Sequence, residues 1–260
     1  MLLDATGETG LIGATEGALY DELLCLADTK LVLAGWYMVV LPNGRGIPDW
    51  NALCGMLQDH YGHARALYQY LGRYGLTREE AEWARGPGEI RSARLLDRPP
   101  RSWTDFVVTM LCAEHLLSTV LGGYRDNQQD RALAGLARKM EREARFHLSY
   151  ATGWLKVLAS DASSVAAPLR ERLALALDWW GADEPDRLFE AGLRTAPERA
   201  LRDSFVGVLE AELPDAQLRD TAGADVPPSW RREFRRSGPR GIPESLYELI
   251  RFKYIELAVP

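Results

Sequence analysis

Hydrophobic and polar residues alternate with a helical period along most of the chain. Apolar positions recur at spacings of three and four, which is typical of amphipathic helices. Four long segments show this pattern: residues 16–41, residues 49–74, the segment from Ser102 or Thr104 to Gly122–Gly123, and residues 129–159. Pro42 and Gly75 stand where the first two patterns end, as helix-stopping residues commonly do. Together the four segments predict a helix bundle over about residues 16–160.

Shorter helical patterns follow the predicted bundle. They cover residues 168–180, part of residues 182–198, residues 199–213, and the closing segment that begins at Pro243. A short helix is also expected after Thr77, because Glu80 stands three residues later, as in a capping box. The sequence shows no strand pattern and no internal repeat. It therefore predicts an all-α chain with a single domain over residues 1–260, in which about residues 161–260 form a helical extension of the bundle.

Composition narrows the possible partners and location. The formal net charge is −6 and the isoelectric point about 5.4, whereas nucleic-acid-binding domains are more often basic. No apolar run reaches the ~18 residues that span a bilayer, and the first residues lack the pattern of a signal peptide. Cys25, Cys54 and Cys112 are far apart and form no CxxC motif, so we expect buried free thiols. These features predict a cytoplasmic protein with neither nucleic acid nor membrane as a partner.

The four histidines, together with nearby glutamates, are the candidate chemical groups. They are His60, His63, His115 and His147. His60 and His63 are three residues apart and share a helix face, and Glu143 precedes His147 by one turn. Helix bundles assemble metal sites from such side chains on facing helices, and imidazole with carboxylate suits iron, manganese or zinc. The alternative is that these residues form ordinary buried hydrogen bonds or a polar helix edge.

Three segments resemble the bacterial phenylacetyl-CoA epoxidase family. They are DHYGHARALYQYLG (59–72), RSWTDFVVTMLCAEHLL (101–117) and EREARFHLSYATGWLKVLA (141–159). The resemblance is clear over about residues 16–160 and continues more weakly to the end of the chain. The family contains a catalytic di-iron subunit and a homologous structural subunit without metal. The resemblance therefore implies a ferritin-like bundle with additional C-terminal helices.

Compared position by position, the chain matches the catalytic subunit only in part. The metal-ligand positions of that subunit hold Trp36 on the first helix, His60 and His63 on the second, Glu114 on the third, and Ala144 and His147 on the fourth. Trp36 and Ala144 stand where carboxylates are expected, while Glu143 is one position from the second of these. The structural subunit has Gln where His63 stands. Its flanking sequence resembles ARALY and the run from REARFH to WL in this chain.

The resemblance leads to one main functional expectation and two alternatives. The main expectation is an oxidase or oxygenase that acts on a small organic or acyl-CoA-type substrate. The expected catalytic residues are His60, His63, Glu114 and His147, and the same four residues with Glu143 are the expected metal ligands. Trp36, Tyr37 and Tyr61 are expected to wall the substrate pocket.

Too few carboxylates are present to balance two iron ions, so a single iron ion or no metal is expected. The first alternative is a metal-free structural subunit that binds a catalytic homologue. The second is a metal-free enzyme that uses histidine as an acid or base. A homo-oligomer, or a hetero-oligomer with a homologous subunit, is the expected assembly.

A basic run near the C-terminus, WRREFRRSGPR (230–240), has two interpretations. Arginines suit the phosphates of a coenzyme A thioester. An exposed basic face or a salt-bridge edge between helices is the favoured interpretation.

Overall fold

The computed structural model describes residues 13–158, 162–181, 185–213 and 226–251, with the side chains of the second range from residue 165. Its helices are α1 Ala14–Val40, α2 Ile47–Leu71, α3 Trp103–Gly122, α4 Arg131–Leu158, α5 Ala162–Leu177, α6 Arg187–Glu190, α7 Glu198–Glu212 and α8 Glu244–Ile250. Within these ranges the extended structure is limited to an isolated bridge between Arg231 and Arg236. The all-α prediction is confirmed, and the fold is consistent with a ferritin-like bundle.

The four long helices pack as two pairs. α1 lies along α2, and α3 lies along α4. Contacts between α2 and α4 join the two pairs. α1 and α3 are buried on nearly all sides, which explains their apolar composition. α4 buries only one face, a stripe at helical spacing that includes Leu133, Met140 and His147. α5 and α7 cover α3, and α8 packs on α1, so the bundle core is closed off by the later helices.

Local capping residues set the ends of the helices. The Asp105 backbone N–H donates to Ser102 Oγ at 3.1 Å, which caps α3 at one of the two predicted starts. Thr77 and Glu80 form the expected capping box. Gly75 has a φ of 87° and ends the turn that follows α2, a conformation that glycine adopts without strain.

The predicted start of the shorter helix over residues 168–180 was wrong. α5 begins at Ala162, so Pro168 lies inside the helix. Proline favours the first turn of a helix, which is why the sequence suggested a start there. Inside a helix, proline removes one backbone hydrogen bond. The helix that contains Pro168, α5, packs on α3. Ala159, at the end of the fourth predicted segment, and residues 252–260 of the closing segment lie outside the described residues.

The basic run at residues 230–240 forms ion pairs with distant parts of the fold. Arg235 Nη1 donates to Glu22 Oε2 of α1 at 2.8 Å and also pairs with Glu198 of α7. Arg236 pairs with Asp97. Both guanidinium groups are buried. Arg235 therefore connects α1 and α7, as the salt-bridge interpretation expects, whereas Arg236 pairs with a residue between α2 and α3.

Two helical segments, Ala14–Asn43 and Trp103–Gly122, are long and apolar enough to cross a membrane by length and composition alone. In each, 83% of the apolar window is buried inside the fold. Core helices of bundles show the same composition, and the burial of these segments agrees with that role.

Candidate functional site

Three helices bring His60, Glu114 and His147 together in the centre of the bundle. His60 Nε2 lies 2.6 Å and His147 Nδ1 lies 3.0 Å from the same atom, Glu114 Oε1. All three side chains are fully buried. Each offers one atom that could bind a metal ion, and these three atoms lie within 4.8 Å of one another. These residues were expected as site residues from the sequence, and the fold places them in contact. We call them the central cluster.

The hydrogen bonds of His60 and His147 indicate which of their ring nitrogens carry protons. Both nitrogens of His147 face carboxylates, because Nε2 lies 3.1 Å from Asp59 Oδ2. An imidazole can donate to two carboxylates only when it is protonated on both nitrogens. His60 has a single carboxylate partner, and its Nδ1 has no hydrogen-bond partner among the described residues. The geometry therefore favours a charged His147 and a neutral His60.

The pKa shifts follow the same division. Burial lowers the pKa of His60 to about 4, although Glu114 opposes this. Burial also opposes protonation of His147, but the neighbouring Glu114 and Asp59 raise its pKa above the ordinary value. Burial alone would raise the pKa of Glu114, yet the two histidines hold it well below the usual range. Glu114 is thus an anion held by donors on both sides.

α1 contributes Tyr37 to the central cluster. Its hydroxyl donates to Glu114 Oε1 at 3.4 Å, and its ring stacks on His60 with centroids 5.3 Å apart. Burial raises the pKa of Tyr37, which keeps the phenol protonated as a donor. Tyr37 was expected to wall a substrate pocket, and the structure places it directly against the cluster.

Lys30 is a cation of this region that the sequence reasoning missed. It lies two helical turns before Tyr37 on α1, and its side chain is only 1% exposed. Burial lowers the pKa of Lys30, while Glu114, Glu143 and Asp59 oppose that shift. The available sequence signal was an isolated lysine inside a long apolar helix.

His63 and Glu143 form a second pair at the edge of the cluster. His63 Nε2 lies 2.5 Å from Glu143 Oε2, and Glu143 also accepts from Lys139 Nζ at 2.8 Å. Burial lowers the pKa of His63, with Lys30 as the strongest charged contributor. The Glu143 side chain is 31% exposed, so this pair reaches the surface. Glu143 therefore points towards His63.

His115 does not join the central cluster. Its Nε2 lies 3.1 Å from Glu212 Oε1 of α7. Although His115 follows Glu114 in sequence, neighbouring residues of a helix point about 100° apart. The two side chains consequently contact different helices.

Trp36 on α1 and Tyr61 on α2 are the other two residues expected to wall the pocket. The guanidinium of Arg172 on α5 lies 5.6 Å from the Trp36 ring. Tyr37 is the α1 residue whose contacts with the cluster are described. The assignment of Trp36 to the first-helix ligand position stays a prediction. Tyr61 is partly buried, which raises its pKa to about 12. Its role as a pocket residue stays a prediction.

A surface cavity of about 320 Å³ lies at the junction of α1 and α3. Its lining includes Val40, Arg45, Trp103 and Phe106. The Phe106 ring packs edge-on against Tyr37, with centroids 5.7 Å apart. The rings of Phe106 and Tyr37 therefore lie between this cavity and Glu114.

Comparison with known families agrees with this geometry. The sequence model of the phenylacetic acid catabolic protein family matches residues 6–234. The chain belongs to this family. No curated protein is significantly similar to the chain. The resemblance seen in the sequence is confirmed at the level of the family, and with it a link to aromatic catabolism.

The central cluster of this family member does not fit a di-iron centre. Two iron ions in a buried site need several carboxylates to balance their charge. Of the three carboxylates near the cluster, only Glu114 is fully buried; Asp59 and Glu143 are 37% and 31% exposed. His60, Glu114 and His147 could hold one ion by their spacing. That ion would have to replace the hydrogen bonds that these atoms already form.

Proposed function

We propose that this protein is a metal-free subunit of the phenylacetic acid catabolic family that associates with a homologous catalytic subunit. The observation that carries the proposal is the state of Glu114. This carboxylate already accepts hydrogen bonds from His60, His147 and Tyr37. Its charge is therefore stabilised by protein donors, as it would be by a metal in a catalytic homologue.

Exposed apolar side chains support association with another subunit. Ile47 and Trp50 at the start of α2 are 70% and 48% exposed, and Phe146 on α4 is 53% exposed. Large apolar and aromatic residues of this kind are enriched at protein interfaces. The flanking sequence that resembles the structural subunit points to the same kind of partner. A cytoplasmic hetero-oligomer acting in the catabolism of an aromatic compound is the corresponding assembly.

Co-expression with a catalytic homologue tests this proposal. We expect the two chains to co-elute as a stoichiometric complex in size-exclusion chromatography with light scattering. We also expect the isolated protein, purified from iron-supplemented cells, to contain less than ~0.1 equivalent of any transition metal, which is noise for a specific site. Stoichiometric iron together with activity of the isolated chain would contradict the proposal.

The second candidate is the iron-dependent oxidase or oxygenase expected from the sequence. The spacing of His60, Glu114 and His147 favours it, and so does the surface cavity whose lining includes Phe106. A bound iron would supply dioxygen chemistry, His63 and Glu143 would support the ligands, and Tyr37 would hold a proton next to Glu114. The substrate would be a small organic or acyl-CoA-type molecule.

Activity measurements separate the remaining candidates. Anaerobic loading with Fe²⁺, followed by measurement of oxygen consumption with and without substrate, tests the oxidase. Loss of oxygen consumption in Glu114→Gln would support it. Turnover that persists in a chelator would instead indicate a metal-free enzyme on the same scaffold.

A further inference from the structure

Another surface cavity lies between α3 and α4, and its lining is strongly basic. Its volume is about 410 Å³. Four of its lining residues are arginines and one is acidic: Arg125 in the turn after α3, Arg138, Arg142 and Arg145 on α4, and Glu141. We call it the arginine cavity. Its lining residues differ from those of the central cluster.

The arginines of α4 share one face because of their spacing. Arg138, Arg142 and Arg145 are four and three residues apart, so they follow one another along a single side of the helix. All three are exposed, whereas the opposite side of α4 carries the buried Met140 and His147. The amphipathic pattern of α4 therefore places a row of positive charges on its solvent side.

Neighbouring groups orient two of the arginines. Arg138 Nη1 donates to the Arg125 carbonyl oxygen at 2.7 Å, and Arg125 Nη1 lies 3.7 Å from Glu141 Oε1. Arg125 Nε also donates to Asp126 Oδ2 at 3.2 Å, and both of these side chains are more than half exposed. Exposed ion pairs contribute little free energy, so a bound anion can take the place of Asp126.

A hydroxyl group from α3 adds a donor to the cavity. Ser118 belongs to the lining, and its Oγ is buried with no hydrogen-bond partner among the described residues. Buried hydroxyl groups normally have a partner. An oxygen atom of a ligand in the cavity would supply one.

We infer that the arginine cavity binds a small molecule carrying two phosphate groups, whose oxygens accept from the arginines and from Ser118. Such a site goes beyond the subunit role proposed above, since it requires neither a partner chain nor a metal.

Charge and size favour this class of ligand. Four arginines face one glutamate in the lining, so the cavity has an excess of positive charge. Two phosphate groups bring about three to four negative charges at neutral pH, whereas a carboxylate brings one. Guanidinium groups also match phosphate oxygens in pairs. The volume falls within the ~300–1,000 Å³ of small-molecule sites. An acidic protein segment would spread its charges over a wider surface.

Calorimetric titration with inorganic pyrophosphate in metal-free buffer tests this site. We expect the wild-type chain to bind one equivalent at about 50 mM salt, with an affinity that falls as salt is raised. Arg142→Gln combined with Arg145→Gln should weaken binding about tenfold or more. Ser118→Ala should weaken it severalfold. The matched control is Arg131→Gln, which removes an exposed arginine of α4 outside the lining and should behave as wild type.

Citrate separates phosphate recognition from a general attraction between charges. It carries a similar negative charge on carboxylates, and we expect it to bind severalfold more weakly than pyrophosphate. Equal affinities would contradict the assignment to phosphate.

Chemical modification provides a measurement on the unaltered protein, in case the variants fold poorly. Phenylglyoxal reacts with accessible guanidinium groups, and peptide mass spectrometry locates the products. Pyrophosphate should protect Arg142 and Arg145 and leave Arg131 reactive.

Three outcomes would overturn the inference. The first is wild-type protein that binds no pyrophosphate. The second is an equal loss of affinity in Arg131→Gln and in the double variant of Arg142 and Arg145. The third is unchanged reactivity of these two arginines in the presence of pyrophosphate. Absence of pyrophosphate binding, together with a double variant that no longer co-elutes with the catalytic homologue, would instead identify the cavity as a protein-docking surface.

Discussion

Each of the four histidines has an acidic partner, and the surroundings of each pair set its charge. The pairs are His60 with Glu114, His63 with Glu143, His115 with Glu212, and His147 with both Glu114 and Asp59. His60 and His147 share the Glu114 oxygen but have opposite pKa shifts. The difference arises because His147 meets a second carboxylate, while one nitrogen of His60 lacks a described partner. Such divergence between neighbouring titratable groups is common at functional sites.

The low pKa of His60 predicts a loss of stability in mild acid. Burial lowers this pKa to about 4, whereas the unfolded value is about 6.5. Between these values the unfolded chain takes up a proton that the folded chain does not. Stability therefore falls as the pH decreases, by at most about 1.4 kcal/mol per pH unit for one such group. The raised pKa of His147 acts in the opposite direction, since its stabilisation is fully present at low pH and lost as pH rises through the folded pKa.

His60→Gln isolates this contribution, because it removes one titrating group and leaves His63 and His147 in place. Urea unfolding midpoints measured at about pH 7.5 and about pH 5 should differ less for the variant than for the wild type. The same pH dependence in both proteins would mean that His60 is not held neutral in the fold.

The cysteines predict selective reactivity. Cys25 and Cys112 are fully buried, and burial raises the pKa of Cys112 to about 12, whereas Cys54 is partly exposed. Because the thiolate is the reactive form, a disulfide reagent should modify a single thiol rapidly in the folded protein and all three after denaturation. Cys54→Ser should remove the rapid phase. Rapid modification that survives this change would place another thiol at the surface.

At the scale of elements, buried ion pairs connect helices that are otherwise apolar. α1 and α3 are buried along most of their length, and their buried carboxylates pair with basic side chains from other segments. Asp28 of α1 pairs with Arg85, and Asp105 of α3 pairs with Arg172 of α5. These pairs are directional, in contrast to the apolar contacts around them. They therefore orient neighbouring segments relative to the two central helices.

Arg172 should be essential for the attachment of α5 to α3. Its Nε and Nη2 donate to the two Asp105 oxygens at 2.8 and 2.9 Å, and Nη1 donates to the Leu95 carbonyl. Arg172→Met leaves Asp105 without its main buried partner, so we expect the free energy of unfolding to decrease by about 3–5 kcal/mol. Urea denaturation measures the effect. The matched control is Arg170→Met on the exposed face of α5, which should stay within ~0.5 kcal/mol of wild type. Equal effects of the two changes would contradict the role of Arg172.

At the scale of the whole molecule, one carboxylate links the first helix to the late segments of the chain. Glu22 of α1 accepts from Tyr124, Arg194 and Arg235. The pair with Arg235 joins residues 213 positions apart. Contacts of such long range couple the bundle to the C-terminal extension. They favour the single domain that the sequence predicts.

Unfolding experiments should therefore show a single transition. Tryptophans lie in both parts: Trp36, Trp103 and Trp154 in the bundle, and Trp179, Trp180 and Trp230 in the extension. We expect thermal curves from tryptophan fluorescence and far-ultraviolet circular dichroism to coincide. The spectrum should be dominantly helical, with a strand content below ~15%. Two separated transitions would show that the extension is a domain of its own.

The sequence by itself determined the helices and most of their ends. Periodicity and caps are local properties, so Ser102, Gly75 and the pair Thr77–Glu80 could be interpreted without tertiary information. The histidine and glutamate motifs also led to the family. Pro168 shows the limit of local rules, because helix packing overrode its usual position in the first turn.

Only the tertiary structure decided which side chains form the central cluster. α1 is apolar on nearly every side, so its pattern does not indicate which face meets α2 and the central cluster. Trp36 and Tyr37 are successive residues, so their side chains point about 100° apart around the helix. Only the packing of the helices decides which of the two faces the cluster. The same is true of Lys30, whose burial depends on helices far away in sequence. Charge compensation is a property of the assembled bundle, because the field at one residue is the sum over groups that the fold brings together.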